Sequence, residues 1–189
     1  QVQKAPARTE GEGPFDQLII RGVTLINGNC APPSGPMDIV VEKNKIVSIR
    51  QVGNPGVPID SAGRPKLKPG GRELNCEGMY LLPGFVDMHG HIGGEEQGAF
   101  AEYVFKLWLG HGITTIRDPS CGNGLDWVLE HKQKSAENKI TAPRIEAYAG
   151  FGQGSTTPIA TPEEARLWVP SNANRGADGI KVFGAAPDL

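Results

Sequence analysis

Apolar and polar positions follow two different rhythms along this chain. Between residues 15 and 80 the rhythm has period two, and Gln17–Arg21, Val23–Ile26, Asp38–Glu42 and Lys45–Arg50 read as short β-strands. Asn27-Gly28 and Lys43-Asn44 supply turn chemistry beside them. The Pro/Gly-rich stretch 53–71 reads as a long loop leading out of this small sheet. From residue 81 the pattern changes to alternating strands and helices, the signature of a parallel sheet. A strand at 81–88 precedes a helix over 97–110 that is apolar at Phe100, Val104, Leu107 and Trp108. A strand at 113–117 precedes a helix near 124–136, and Ile145–Ala149 precedes a helix from Pro162 to about Asn174. Thr161, Pro162 and Glu164 set out an N-cap, a proline at the first helical position and the glutamate of a capping box. The strand Ile180–Phe183 ends the readable pattern. Residues 1–14 are polar and without periodicity, and read as a flexible arm.

This patterning predicts an α/β chain in three parts: an arm over 1–14, a small sheet over 15–80, and four strand–helix units over 81–189. A closed (β/α)8 barrel needs eight such units and about 250 residues. Four units leave the first and last strands as open edges, so the chain reads as the front of a larger barrel and is not expected to fold stably alone.

Composition narrows the function classes. With 19 basic and 21 acidic residues the formal charge is −2, so nothing points to nucleic acid or an anionic membrane surface. No apolar run approaches the roughly 18 residues that span a bilayer. Cys30, Cys76 and Cys121 are widely spaced without a C-x-x-C, which excludes a zinc knuckle. Cys30 and Cys76 could pair in an oxidising compartment, but unpaired small core residues are the favoured reading. The chain starts with Gln1, not Met. Removal of an export signal, implying an exported or periplasmic protein, and simple trimming of a cytoplasmic one both fit that start.

The densest chemistry lies at Pro83-Gly84-Phe85-Val86-Asp87-Met88-His89-Gly90-His91. Residues i and i+2 of a strand share a face, so an H-x-H at a strand end aims two imidazoles into one space. Imidazole is a natural ligand for zinc and its first-row neighbours. Gly90 between them allows backbone or ligand to approach closely.

The run Tyr80–His91 resembles the first barrel strand of the amidohydrolase superfamily, with every fixed position of its P-G-x-x-D-x-H-x-H signature in place. Gly112–Asp118 is similar to that superfamily's second strand, and Gly176–Phe183 to its fourth. The likeness covers roughly residues 18–189, and prolidase-like and imidazolonepropionase-like sequences look closest. It implies the N-terminal part of a TIM barrel preceded by half of a β-sandwich.

On that resemblance His89 and His91 are metal ligands, and Lys181, in Gly179-Ile180-Lys181, matches the lysine that bridges two metals as a carbamate. The implied cofactors are two divalent ions, zinc by default, with manganese, cobalt or iron fitting the same ligands. Asp87 is expected behind the histidines or on the strand-end backbone. Arg117 and Asp118 are placed on the substrate rim or paired with each other. The remaining histidines have structural readings: His111 at a helix C-terminus and His131 in solvent. The glycines of 150–157 lack G-x-G-x-x-G spacing and read as a mobile loop on the substrate side.

The implied chemistry is hydrolysis of a C–N bond in an amide, cyclic amide or dipeptide by metal-activated hydroxide. The histidines of strands five and six and the aspartate of strand eight would come from elsewhere. Expected partners are a small-molecule or dipeptide substrate, the rest of the barrel on the same or a separate chain, and further copies in a homo-oligomer. Two alternatives stand beside this: a non-catalytic half-barrel used for binding or assembly, and a mononuclear, deaminase-type amidohydrolase, against which Lys181 argues.

Overall fold

A computed structural model of the chain describes residues 1–93 and 98–184. Two compact units emerge: residues 10–83, and residues 1–9 together with the chain from 84 onward.

The first unit is a five-stranded sheet. Strands β1 (Gln17–Leu25), β2 (Ser34–Glu42), β3 (Lys45–Gln51) and β4 (Arg72–Asn75) lie in the order β3-β2-β1-β4, and β5 (Tyr80–Leu81) also pairs with β1. Hairpins join β1, β2 and β3 antiparallel, whereas β4 and β5 run parallel to β1. The two segments expected over 17–26 are one strand, broken in register between Ile20 and Val23 where Gly22 takes φ +71°. A glycine adopts that left-handed conformation without a Cβ clash, and this bulge is what interrupts the period-two pattern. Lys43-Asn44 makes the β2–β3 turn as read. The loop 53–71 is anchored through Arg64, which with Arg21 grips the fully buried Asp38. Asp38 accepts from Arg64 Nη2 at 2.7 Å, Arg21 Nη1 at 3.0 Å and the Gly22 amide at 3.0 Å. Burial opposes its ionisation, but these donors together hold its carboxyl below the usual range.

The second unit carries a four-stranded parallel sheet in sequence order: β6 (Phe85–Asp87), β7 (Ile113–Pro119), β8 (Arg144–Gly150) and β9 (Gly179–Lys181). Helices α1 (Ala101–Gly110), α2 (Leu125–Ala136) and α3 (Pro162–Arg175) connect successive strands. The expected start of α1 at Gln97 lies outside the described residues. Its buried positions are Ala101 and Phe105, while Phe100 and Leu107 are exposed. Ile116 and Ile145, register partners on one face of the sheet, are buried with Phe105 and Val128 of the helices. On β9 the ladder stops at Lys181, and Val182 and Phe183, expected within the strand, are exposed. The capping box of α3 forms as read, Glu164 N donating to Thr161 Oγ1 at 3.2 Å and Thr161 N to Glu164 Oε2 at 3.0 Å.

Residues 1–9 differ from the flexible arm read over 1–14. Val2 and Ala5 are buried, the Val2 amide donates to Asn123 Oδ1 at 3.0 Å, and the Arg8 amide donates to Lys139 O at 2.8 Å. The Ala5 amide reaches Nε2 of His131 at 3.1 Å. His131 is therefore fully buried, not solvated, between this segment and its own helix.

Candidate metal centre

In a parallel barrel, strand C-terminal ends collect functional side chains. A cavity of about 340 Å3 opens there, lined among others by His89, His91, Ser120, Gly150, Lys181 and Phe183. The expected residues of β6 and β9 are thus brought to one space. The imidazole centroids of His89 and His91 are 5.2 Å apart and nearly perpendicular, at 78°. The Nζ of Lys181 lies 5.9 Å from the Phe183 ring and forms no ion pair with a carboxylate among the described residues.

Close approach of the strand ends shapes the floor of this space. A Cβ on Gly150 would lie 2.3 Å from Ser120 Oγ, and one on Gly90 would lie 2.9 Å from Asp87 Oδ2. Gly150 is the register partner of Lys181 across β8 and β9, so the absence of a side chain there leaves the lysine room. Ser120 itself adopts φ +81°.

Three carboxylate and guanidinium residues occupy distinct places. Asp87 Oδ1 accepts from the backbone amide of His89 at 3.0 Å, so it holds the strand-end backbone and not the ring. Arg117 and Asp118 do not line the cavity. As neighbours on a strand they point to opposite faces. The Arg117 guanidinium sits 5.2 Å over the Tyr148 ring, and its Nε is buried with no hydrogen-bond partner among the described residues. Asp118 is fully buried, its Oδ1 3.1 Å from His91 Nδ1. Burial pushes its carboxyl above the ordinary carboxylate range, opposed by the Ile92 amide and by His91.

Ser120 went unread in the sequence, and Phe151 and Gln153 were read only as part of the substrate-side loop over 150–157. Gln153 accepts from the Gly150 amide at 3.1 Å and donates to Cys121 O at 2.9 Å, pinning the loop after β8 to the end of β7. Their only signal is position just after a strand end. His111 caps α1, its Nδ1 2.7 Å from Leu107 O. All three cysteines are free, with Cys30 exposed and Cys121 buried. Burial, and then Asp118, push the Cys121 thiol up to about 12.

Among the described residues no three His, Cys, Asp or Glu side chains converge as a metal cluster. The two imidazoles on one cavity fit a divalent ion as part of its ligand set, and Lys181 beside them fits only without its positive charge.

No family model matches the chain. In sequence and in fold the chain is nevertheless similar to hydrolases of the amidohydrolase type. The N-acyl-D-aspartate deacylase of Alcaligenes xylosoxydans xylosoxydans is 27% identical over 151 residues, 79% of this chain and 25% of that protein. A solved Xaa-Pro dipeptidase superposes with a TM-score of 0.64 at 21% identity, over 88% of this chain and 46% of its own. A molinate hydrolase superposes with a TM-score of 0.67 at 20% identity, over 89% and 45%. The chain spans less than half the length of each of these proteins, and its four parallel units correspond to half of a (β/α)8 barrel.

Proposed function

We propose that this chain supplies the H-x-H and bridging-lysine half of a binuclear metal site in a hydrolase of C–N bonds. The observation that carries this is the convergence of His89 and His91, after β6, with Lys181, on β9, on one cavity. The relatives are a deacylase and a dipeptidase by name, and an amide, cyclic amide or dipeptide is the substrate class.

Each residue has a part in this reading. His89 and His91 bind one ion through ring nitrogens. Lys181, as the free amine, attacks carbon dioxide at carbon; the new N–C bond gives a carbamate and releases one proton. That anion would hold divalent metal where an ammonium would repel it. When bound, the metals supply Lewis acidity to the scissile carbonyl and lower the pKa of water. Phe151 and Phe183 add apolar surface to the lining of the same cavity. Among the described residues neither remaining histidine joins this set, since His111 caps α1 and His131 is buried on α2.

The test is metal content after loading with zinc or manganese in bicarbonate, alongside hydrolysis of an N-acyl amino acid and dipeptide panel. The expected result is two ions per assembled site, with metal and hydrolysis both lost in His89→Ala and Lys181→Ala. Full activity in either variant, or equal metal uptake by a His89→Ala/His91→Ala protein, would overturn the proposal.

A further inference from the structure

Among the described residues, the neighbouring strand brings a carboxylate to hydrogen-bond distance of a ring nitrogen of the H-x-H pair. Asp118 closes β7 on the face shared with Ile116, and its register partner Ala147 is fully buried like itself. From there its two oxygens reach consecutive residues of the segment after β6. Oδ1 lies 3.1 Å from His91 Nδ1, and Oδ2 accepts from the Ile92 amide at 3.2 Å. Ile92 is fully buried, so that amide has no alternative partner in water. One buried side chain thus fixes both the backbone after His91 and the ring of His91.

We propose that Asp118 is the positioning residue for His91, holding the proton on Nδ1 so that Nε2 carries the free lone pair. A carboxylate accepts hydrogen bonds and does not donate them, so the nitrogen facing it carries the hydrogen. Nε2, across the ring, is then the unprotonated nitrogen on a side chain that lines the cavity with His89 and Lys181. A ligand imidazole held through its other nitrogen by a carboxylate has a fixed tautomer and orientation and greater basicity. Asp87 instead accepts from the His89 backbone amide. Asn at 118 is a poor replacement: an amide that accepts from His91 would turn its NH2 group towards the Ile92 N–H.

This inference rests on the proposed metal site for its purpose but not for its geometry, and two readouts separate them. The first needs no metal: nitrogen-15 NMR of the histidine rings in the metal-free protein, whose chemical shifts distinguish the two tautomers from each other and from the imidazolium. The wild type is expected to show His91 as the Nδ1–H tautomer, with Nε2–H appearing in Asp118→Asn and Asp118→Ala. The second is zinc affinity by competition with a chromophoric chelator, expected to fall about 10- to 100-fold in Asp118→Asn. An Nε2–H tautomer at His91 in the wild type overturns the inference even if no variant folds. So does zinc affinity in Asp118→Asn within twofold of wild type while His91→Ala weakens it. Equal zinc affinity in wild type and His91→Ala contradicts the metal site instead, and leaves the tautomer result to decide Asp118.

Discussion

Protonation of His131 should loosen residues 1–9 from α2. Its ring is fully buried and stacked on Trp127, with centroids 3.7 Å apart and planes at 22°. Nδ1 lies 2.9 Å from Trp127 O and Nε2 lies 3.1 Å from the Ala5 amide. An amide N–H only donates, so Nε2 is the bare nitrogen and Nδ1 carries the hydrogen. A second proton would set an N–H against the Ala5 N–H in a site without water. Burial is the main force lowering the His131 pKa; Lys134 and Lys4 add repulsion, while the Trp127 carbonyl and Glu130 pull the other way. Glu130 is itself paired with both lysines, which hold its carboxyl at about 2.

The sign follows from the depressed folded value. Below the unfolded histidine pKa, about 6.5, the unfolded chain binds the proton and the folded chain resists it, so stability falls with pH. Above about 6.5 this group contributes no pH dependence. For one proton the slope approaches, and does not exceed, about 1.36 kcal/mol per pH unit. Urea unfolding followed by tryptophan fluorescence, in steps from about pH 7.5 to 5, measures it, with Trp127 as a reporter against the ring. His131→Gln should be less stable at every pH, by roughly 2–4 kcal/mol for the lost packing, yet show a shallower slope below about 6.5. The difference in slope isolates His131 from the other histidines. Equal slopes in wild type and variant, or wild-type stability that rises on acidification, would refute the reasoning.

Three further outcomes follow from the packing. Asp38→Ala should cost about 3–5 kcal/mol in urea unfolding, because it leaves Arg21 and Arg64 facing a buried gap. The depressed Asp38 pKa means its contribution is present above about pH 4 and is lost on acidification below that. Thr161→Ala removes the N-cap of α3 and should cost about 1 kcal/mol, read as a lower Tm. Gly84→Ala should destabilise by about 1–3 kcal/mol, since the new Cβ would lie 1.9 Å from Thr114 Oγ1; the double variant with Thr114→Ser should recover little, the hydroxyl being the nearest atom.

What the chain reveals in one dimension is what is local. The H-x-H spacing, Lys181 between apolar neighbours, and the Thr161–Glu164 box each depend on a few adjacent residues, and the strand–helix alternation from residue 81 follows from periodicity alone. Contacts that depend on register or docking were hidden. Asp118 and His91 are 27 positions apart and meet only because β6 and β7 pair as they do. Read locally, Arg117-Asp118 suggested a rim or an ion pair; strand alternation separates them. His131 looked solvated because Glu130 and Lys132 flank it, yet it packs against Phe105 and Trp127 and accepts from the amide of Ala5, over a hundred residues away. Val2 and Ala5, two apolar positions in a polar stretch, carry no period. Strands β4 and β5 escaped notice because four and two residues are too few for a pattern to register.

Anomalous diffraction at the zinc edge, from crystals grown with zinc and bicarbonate, addresses the central claim most directly. The account predicts anomalous density between the ring nitrogens of His89 and His91 and the Lys181 side chain, with carboxyl density added at Nζ. Zinc bound elsewhere, with both imidazoles unliganded and Lys181 unmodified in a fully assembled protein, would contradict it.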